Sequence, residues 1–198
     1  MADKKPNIVI LISGRGSNMM SIVNAVNDDS LDVNVAAIIS NRPDAAGLEF
    51  AQQQGIQSLV VDHKDFDSRE QFDQALAKEI DQFSPDIVVL AGFMRILTAE
   101  FVNHYAGKLI NIHPSLLPKF KGLNTHQRAI ASGEKEHGAS VHLVTPELDD
   151  GPVILQARVP VLEGDDASSL AARVLEQEHQ LYPDAINKLI TETFTQTV

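Results

Sequence analysis

Residues 7–18 read Asn7-Ile8-Val9-Ile10-Leu11-Ile12-Ser13-Gly14-Arg15-Gly16-Ser17-Asn18, and this stretch decides the fold class. Residues 7–13 form a short continuous run of β-branched and aliphatic side chains, and a strand without polar alternation is one covered on both faces, as in a parallel sheet. Gly14 and Gly16 then allow a sharp turn, and residues 17–26 carry apolar side chains at helical spacing. Working outward, the same alternation recurs. Residues 33–40, 58–61, 87–91 and 108–112 read as further strands, and residues 45–54 and 68–83 as helices. Ser17, and Ser68 ahead of Glu70, are candidate N-caps, while Gly47 weakens the second helix and Gly55 is placed to end it. Residues 139–144 and 153–161 are predicted as two strands joined through Asp149-Asp150-Gly151-Pro152, close enough for a hairpin. Residues 167–190 close the chain as a helix interrupted or bent near Pro183. The expectation is therefore an α/β fold, a single-domain doubly wound sheet that is mostly parallel but mixed.

Composition narrows the functional classes. The chain has 198 residues, enough to bury one substantial core, with Lys plus Arg 16, Asp plus Glu 27 and a formal net charge of −11. That balance disfavours nucleic-acid or anionic-membrane surfaces. Cys is absent, which excludes disulfides, thiolate metal sites and a cysteine nucleophile. No apolar run reaches membrane-spanning length and the first residues lead directly into a strand, so a cytoplasmic protein without a membrane partner is expected.

Two constellations carry chemistry. The turn Ser13-Gly14-Arg15-Gly16-Ser17-Asn18 brings backbone N–H groups and a helix N-terminus together, a phosphate-binding arrangement. It lacks the Gly-Lys-Ser/Thr of a nucleoside-triphosphate loop, and Met19 and Met20 stand where a dinucleotide fingerprint has its third small residue. Arg42 after the second strand keeps an NADP-dependent oxidoreductase open as an alternative. Asn111 and His113 alternate onto one face at the end of a strand, and Pro114 favours the extended conformation that holds them there. Asp149 comes from the later turn. An Asp beside a His stabilises imidazolium, and an Asn amide meets a developing oxyanion without titrating. Together they form an acyl-transfer set without a protein nucleophile. Taken singly, a His after a strand is ordinarily structural and Asp149-Asp150-Gly151 is simply a turn. His63, His104, His126, His137, His142 and His179 show no metal-ligand spacing, so no metal is expected.

Longer stretches bear a family likeness. These are residues 10–18, Leu90-Ala91-Gly92-Phe93-Met94-Arg95-Ile96-Leu97, Leu109 through Pro118 with Asn111-Ile112-His113-Pro114-Ser115-Leu116-Leu117-Pro118 at its centre, residues 137–142, residues 148–154, and Gln177-Glu178-His179. Over residues 7–190 the chain resembles the folate-dependent glycinamide ribonucleotide formyltransferases, and the Asn-x-His-Pro-Ser-Leu-Leu-Pro element is specific to formyltetrahydrofolate-using enzymes. The resemblance implies a Rossmann-like formyltransferase fold, with a nucleotide half at about 1–100 and a folate half at about 101–198. It implies formyl transfer from 10-formyltetrahydrofolate, as co-substrate and without a metal, to the amine of 5'-phosphoribosylglycinamide in purine synthesis. Gly16, Ser17 and Asn18 would hold the ribonucleotide phosphate, and Glu178 its ribose or amine side. Arg69, Met94, Arg95, Ile96, Leu97 and Asn111 would line the folate site, with Thr145, Pro146, Glu147, Leu148 and Asp149 covering the pterin. Asn111, His113 and Asp149 would be catalytic. The resemblance also implies small-molecule partners and a monomer or homodimer.

The chain departs from the family pattern at Lys121, where Pro is more usual, at Asn124, where His is more usual, and at Asp150, where Gly is common. Three related readings stay in view: a formyltetrahydrofolate hydrolase, a methionyl-tRNA formyltransferase and a non-catalytic folate or nucleotide sensor. The first two usually carry an extra domain, for which a sheet beginning by Asn7 and an end at Val198 leave no expectation.

Overall fold

The computed structural model describes residues 5–194. The chain folds as two compact units, one up to Ile110 and the other from Asn111 onward. Seven strands follow the order β3-β2-β1-β4-β5-β6-β7 in one mixed sheet.

The first unit contains β1 (Asn7–Ile12), β2 (Asn34–Ser40), β3 (Ser58–Val60) and β4 (Ile87–Leu90), with α1 (Ser17–Asn27), α2 (Gly47–Gln53), α3 (Arg69–Asp81) and α4 (Ala99–His104). The pairs β1–β2, β1–β4 and β2–β3 are all parallel. Ile8, Val9, Ile10, Leu11 and Ile12 are fully excluded from solvent, the outcome that an unbroken apolar run requires. Each such side chain contributes roughly 1.5–3 kcal/mol relative to exposure. Ser68 caps α3 as expected, its Oγ accepting from the Gln71 backbone N–H at 3.2 Å. Ser17 does not cap α1. Gly16 occupies that position at φ 72°, and Ser17 is the first helical residue. The sharp entry from β1 needs the left-handed region, which glycine adopts without steric cost.

β5 (Leu109–His113) has its first two residues in the first unit and its last three in the second. The second unit adds α5 (Thr125–Ala131), β6 (Glu136–Leu143), β7 (Val153–Pro160) and α6 (Ala167–Phe194). β6 and β7 form the antiparallel hairpin, with Ala139 opposite Ala157. α6 packs on β6, β7 and α5. It is uninterrupted across Pro183, contrary to one expectation. Proline removes one helical N–H, but buried Leu181, Tyr182, Ala185 and Ile186 hold the surrounding turns against the core.

Two helices were absent from the sequence pattern. α4 has 6 residues and α5 has 7, each under two turns of a helix; α2, also of 7, was read only as part of a longer run over residues 45–54. Thr98 nevertheless caps α4, accepting from the Phe101 N–H at 3.2 Å.

Candidate active site

In the first unit the strand order reverses between β1 and β4, and ligands of open α/β sheets bind outside the carboxyl ends of strands at such a point. A cavity of about 270 Å³ lies there, lined by Ser13 through Asn18 together with Arg42, Ala91, Gly92 and Met94. The glycine turn is braced from both sides. Ser13 Oγ donates to Asn41 Oδ1 at 2.5 Å and accepts from the Met94 N–H at 2.8 Å. Gly47, at the start of α2, donates its N–H to the Gly14 carbonyl at 3.0 Å. A Cβ at Gly47 would lie 2.6 Å from Ile12 Cδ1 and 3.1 Å from the Arg15 carbonyl, so α2 seats against the turn only because residue 47 has no side chain. Asn18 is buried and Ser17 half-buried. Arg42 lines the cavity, but its guanidinium is held by Asp44, with Nε to Oδ1 at 3.0 Å and Nη2 to Oδ2 at 2.8 Å.

Five residues expected at the folate site also lie in this unit, four beyond β4 and Arg69 at the start of α3. Met94 and Ile96 are 75% and 64% exposed, a large solvent area for apolar side chains. Leu97 is half-buried. The Arg95 guanidinium sits 5.3 Å from the Phe72 ring centroid. Arg95 and exposed Arg69 both act on buried Asp73. Burial pushes that carboxyl up, while the Thr98 N–H, 2.6 Å from Oδ2, and the two guanidinium charges push it back.

The second unit brings Asn111, His113 and Asp149 into one network. His113 is 6% exposed. Its Nε2 lies 2.9 Å from the Phe120 carbonyl, which can only accept, so Nε2 carries the hydrogen. Nδ1 is then the nitrogen able to gain a proton, and it lies 3.5 Å from Asp149 Oδ2. The same Oδ2 accepts from the Gly122 N–H at 2.8 Å, which fixes the orientation of the carboxylate. Asp149 itself has φ 50°, a left-handed conformation that Asp tolerates better than most residues.

His142 belongs to the same network, although no spacing argument selected it from the seven histidines. Its Nδ1 donates to the Leu143 carbonyl at 2.9 Å, which leaves Nε2 as an acceptor. Asn111 Nδ2 donates to that Nε2 at 3.4 Å. Asp149 Oδ1 lies 3.9 Å from His142 Nε2. Burial lowers the pKa of His142 and keeps the ring neutral, the state this arrangement needs. The backbone of Phe120 and Gly122 is a second contribution that sequence spacing does not reveal.

The remaining expected residues lie in the segment after β6 and on α6. Thr145 is half-buried, whereas Pro146, Glu147 and Leu148 are exposed. Glu178 is 8% exposed on α6, and its charge adds to the burial that raises the pKa of Tyr182. Of the three departures, Lys121 and Asp150 form an ion pair with each other, and Asn124 sits at φ 56° as the N-cap of α5 without a side-chain capping bond. Among the described residues no group of three or more His, Asp or Glu is arranged to hold a metal ion.

Chemically, the second unit offers an amide donor with a fixed orientation and an imidazole beside a carboxylate. The first unit offers a glycine turn and a helix N-terminus. Comparisons with known proteins identify the family. A family model described as formyl transferase matches residues 6–186. The phosphoribosylglycinamide formyltransferase of Escherichia coli (strain K12) is 56% identical over 181 residues, covering 91% of this chain and 85% of that protein. The structure of the phosphoribosylglycinamide formyltransferase from Coxiella burnetii in complex with CHES superposes with a TM-score of 0.88 at 49% identity, over 93% of this chain and 86% of that one. The corresponding enzyme structure from Brucella melitensis gives a TM-score of 0.89 at 48% identity, over 93% and 95%. The chain belongs to the phosphoribosylglycinamide formyltransferase family, within the formyl transferases.

Proposed function

We propose that this protein transfers the formyl group of 10-formyltetrahydrofolate to the amine of 5'-phosphoribosylglycinamide in de novo purine biosynthesis. The observation that carries the reading is the Asn111–His142 and His113–Asp149 network in a chain of this family.

The amine nitrogen attacks the formyl carbon directly, and the carbonyl electron pair moves onto oxygen. Asn111 Nδ2 spends one hydrogen on His142 and keeps a second for that oxyanion. The attacking nitrogen becomes cationic and must lose a proton, while the departing folate nitrogen must gain one as its bond to carbon breaks. His113 Nδ1 beside Asp149 Oδ2 is suited to hold that proton in transit, because the carboxylate stabilises the imidazolium. The turn at Gly16, Ser17 and Asn18 binds the ribonucleotide phosphate through backbone N–H groups and the α1 terminus, with Glu178 serving its ribose or amine side. Arg69, the segment from Met94 to Leu97, Asn111 and the residues from Thr145 to Asp149 serve the folate. The whole chain works as one formyltransferase domain, with nucleotide and folate halves divided near residue 100. It acts on small molecules in the cytoplasm, without a metal, as a monomer or homodimer. No helix among the described residues is long and apolar enough to cross a membrane.

The deciding assay mixes glycinamide ribonucleotide with 10-formyltetrahydrofolate and follows deformylated folate and formylated amine together. Equal amounts of both are expected. Folate loss without formylated amine would identify a hydrolase, and binding of both without turnover a sensor. His113→Ala and Asp149→Asn are each expected to lose turnover by orders of magnitude while ribonucleotide binding survives. Near-normal rates in both would remove the assigned roles.

A further inference from the structure

We infer that Arg128 is a positioning residue for the His113–Asp149 pair, acting through the backbone of residues 120–123. From α5 its Nη1 donates to the carbonyls of Lys121 at 2.7 Å and Leu123 at 3.1 Å. Its guanidinium also lies over the Phe120 ring, 5.4 Å from the centroid. That short segment holds both members of the pair. The Phe120 carbonyl accepts from His113 Nε2, and the Gly122 N–H donates to Asp149 Oδ2. One side chain therefore grips the stretch of backbone that fixes an imidazole on one side and a carboxylate on the other.

The segment needs such a grip. Phe120 and Asn124 have φ 54° and 56°, and Gly122 has φ 79°, so the chain passes three times through a region that side-chain-bearing residues avoid. No helix or strand includes residues 114–124. Other tethers act at the margins: Ser115 Oγ donates to the Lys119 carbonyl, Lys119 pairs with Glu134, and the Lys121 ammonium pairs with Asp150. The two lysine pairs join side-chain ends to one another rather than to the backbone. Arg128 reaches the peptide carbonyls themselves and covers the neighbouring aromatic face. A planar fork of donors suits this double contact, and a lysine ammonium does not reproduce it.

Loosening the segment moves the Phe120 carbonyl away from His113, removing the constraint that keeps the hydrogen on Nε2. The kinetic arm of the test rests on the proposed formyl transfer, but the spectroscopic arm needs no turnover, so the two readings fail separately. Arg128→Met keeps much of the aliphatic stem and removes the donors. It is expected to lower kcat about 10-fold with KM within about twofold, as small misplacements of reacting groups do. In ¹⁵N spectra of the imidazole, the variant's His113 is expected to lose the wild-type preference for the Nε2-protonated tautomer. Arg128→Lys, which can satisfy one carbonyl, is expected to fall between the two in both readouts. Should circular dichroism show Arg128→Met unfolded, Arg128→Lys carries the test by itself. Wild-type kcat with a wild-type imidazole spectrum overturns the inference. So does a rise in KM alone, or a loss of kcat in a folded variant whose His113 spectrum is unchanged.

Discussion

Asn111 shows how a single amide is made into an oriented donor. Its Nδ2 hydrogen is accepted by His142 Nε2, and His142 accepts only because its Nδ1 hydrogen is committed to the Leu143 carbonyl. Burial keeps that ring neutral. A protonated His142 would present a donor to a donor. Two outcomes follow at this scale. Asn111→Leu removes the oxyanion donor and should lower kcat about 10²–10³-fold with folding intact, checked by steady-state kinetics beside a thermal melt. His142→Phe keeps a ring in the core but frees the amide to rotate, so kcat should fall about 10-fold while the melting temperature changes little. A His142→Phe enzyme at full rate would mean that Asn111 needs no orienting partner.

Among the elements, α2 and α3 show opposite uses of a helix N-terminus. α3 starts where a side chain caps it: Ser68 Oγ satisfies the Gln71 N–H, and Ser68→Ala should cost about 1 kcal/mol in denaturant unfolding with binding unaffected. α2 starts where the absence of a side chain matters. Gly47 lies against Ile12, Met19 and the Arg15 carbonyl, and its N–H reaches the Gly14 carbonyl. Gly47→Ala would improve helix propensity yet drive a methyl group into the floor of the glycine turn. The expected result is a ribonucleotide Kd raised at least about 10-fold with folate binding retained, measured by calorimetry for each ligand. Unchanged ribonucleotide affinity would disconnect α2 from the turn.

For the molecule as a whole, acid sensitivity is the property the fold imposes. His126, His137 and His142 all have lowered pKa values, mainly through burial, and His137 is brought down to about 4. In the unfolded chain these rings return toward about 6.5. Between the two values the unfolded state binds more protons, so stability is intact above pH 6.5 and is lost as pH falls toward 4. His137 alone accounts for roughly 3 kcal/mol of that loss across the window. Urea unfolding at pH 7 and pH 4.5 should show the drop, and His137→Gln should flatten it. A flat profile in the wild type would mean that these rings are solvated.

The parallel strands, the glycine turn and the hairpin were legible from residues alone, because a run such as Ile8 to Ile12 admits few fates other than a doubly covered strand. Asn111 and His113 were legible as a pair because strand alternation is a local rule. His142, the carbonyl of Phe120 and the N–H of Gly122 were not. Each acts on a residue from a different segment, and hydrogen bonds between distant segments leave no periodic trace in sequence. α4 and α5, each under two turns long, were not read as helices. The sequence by itself determined the elements and the chemical groups available. Only the tertiary structure decided which nitrogen of His113 holds its hydrogen, and which way the amide of Asn111 faces, since both depend on partners that folding alone brings within reach.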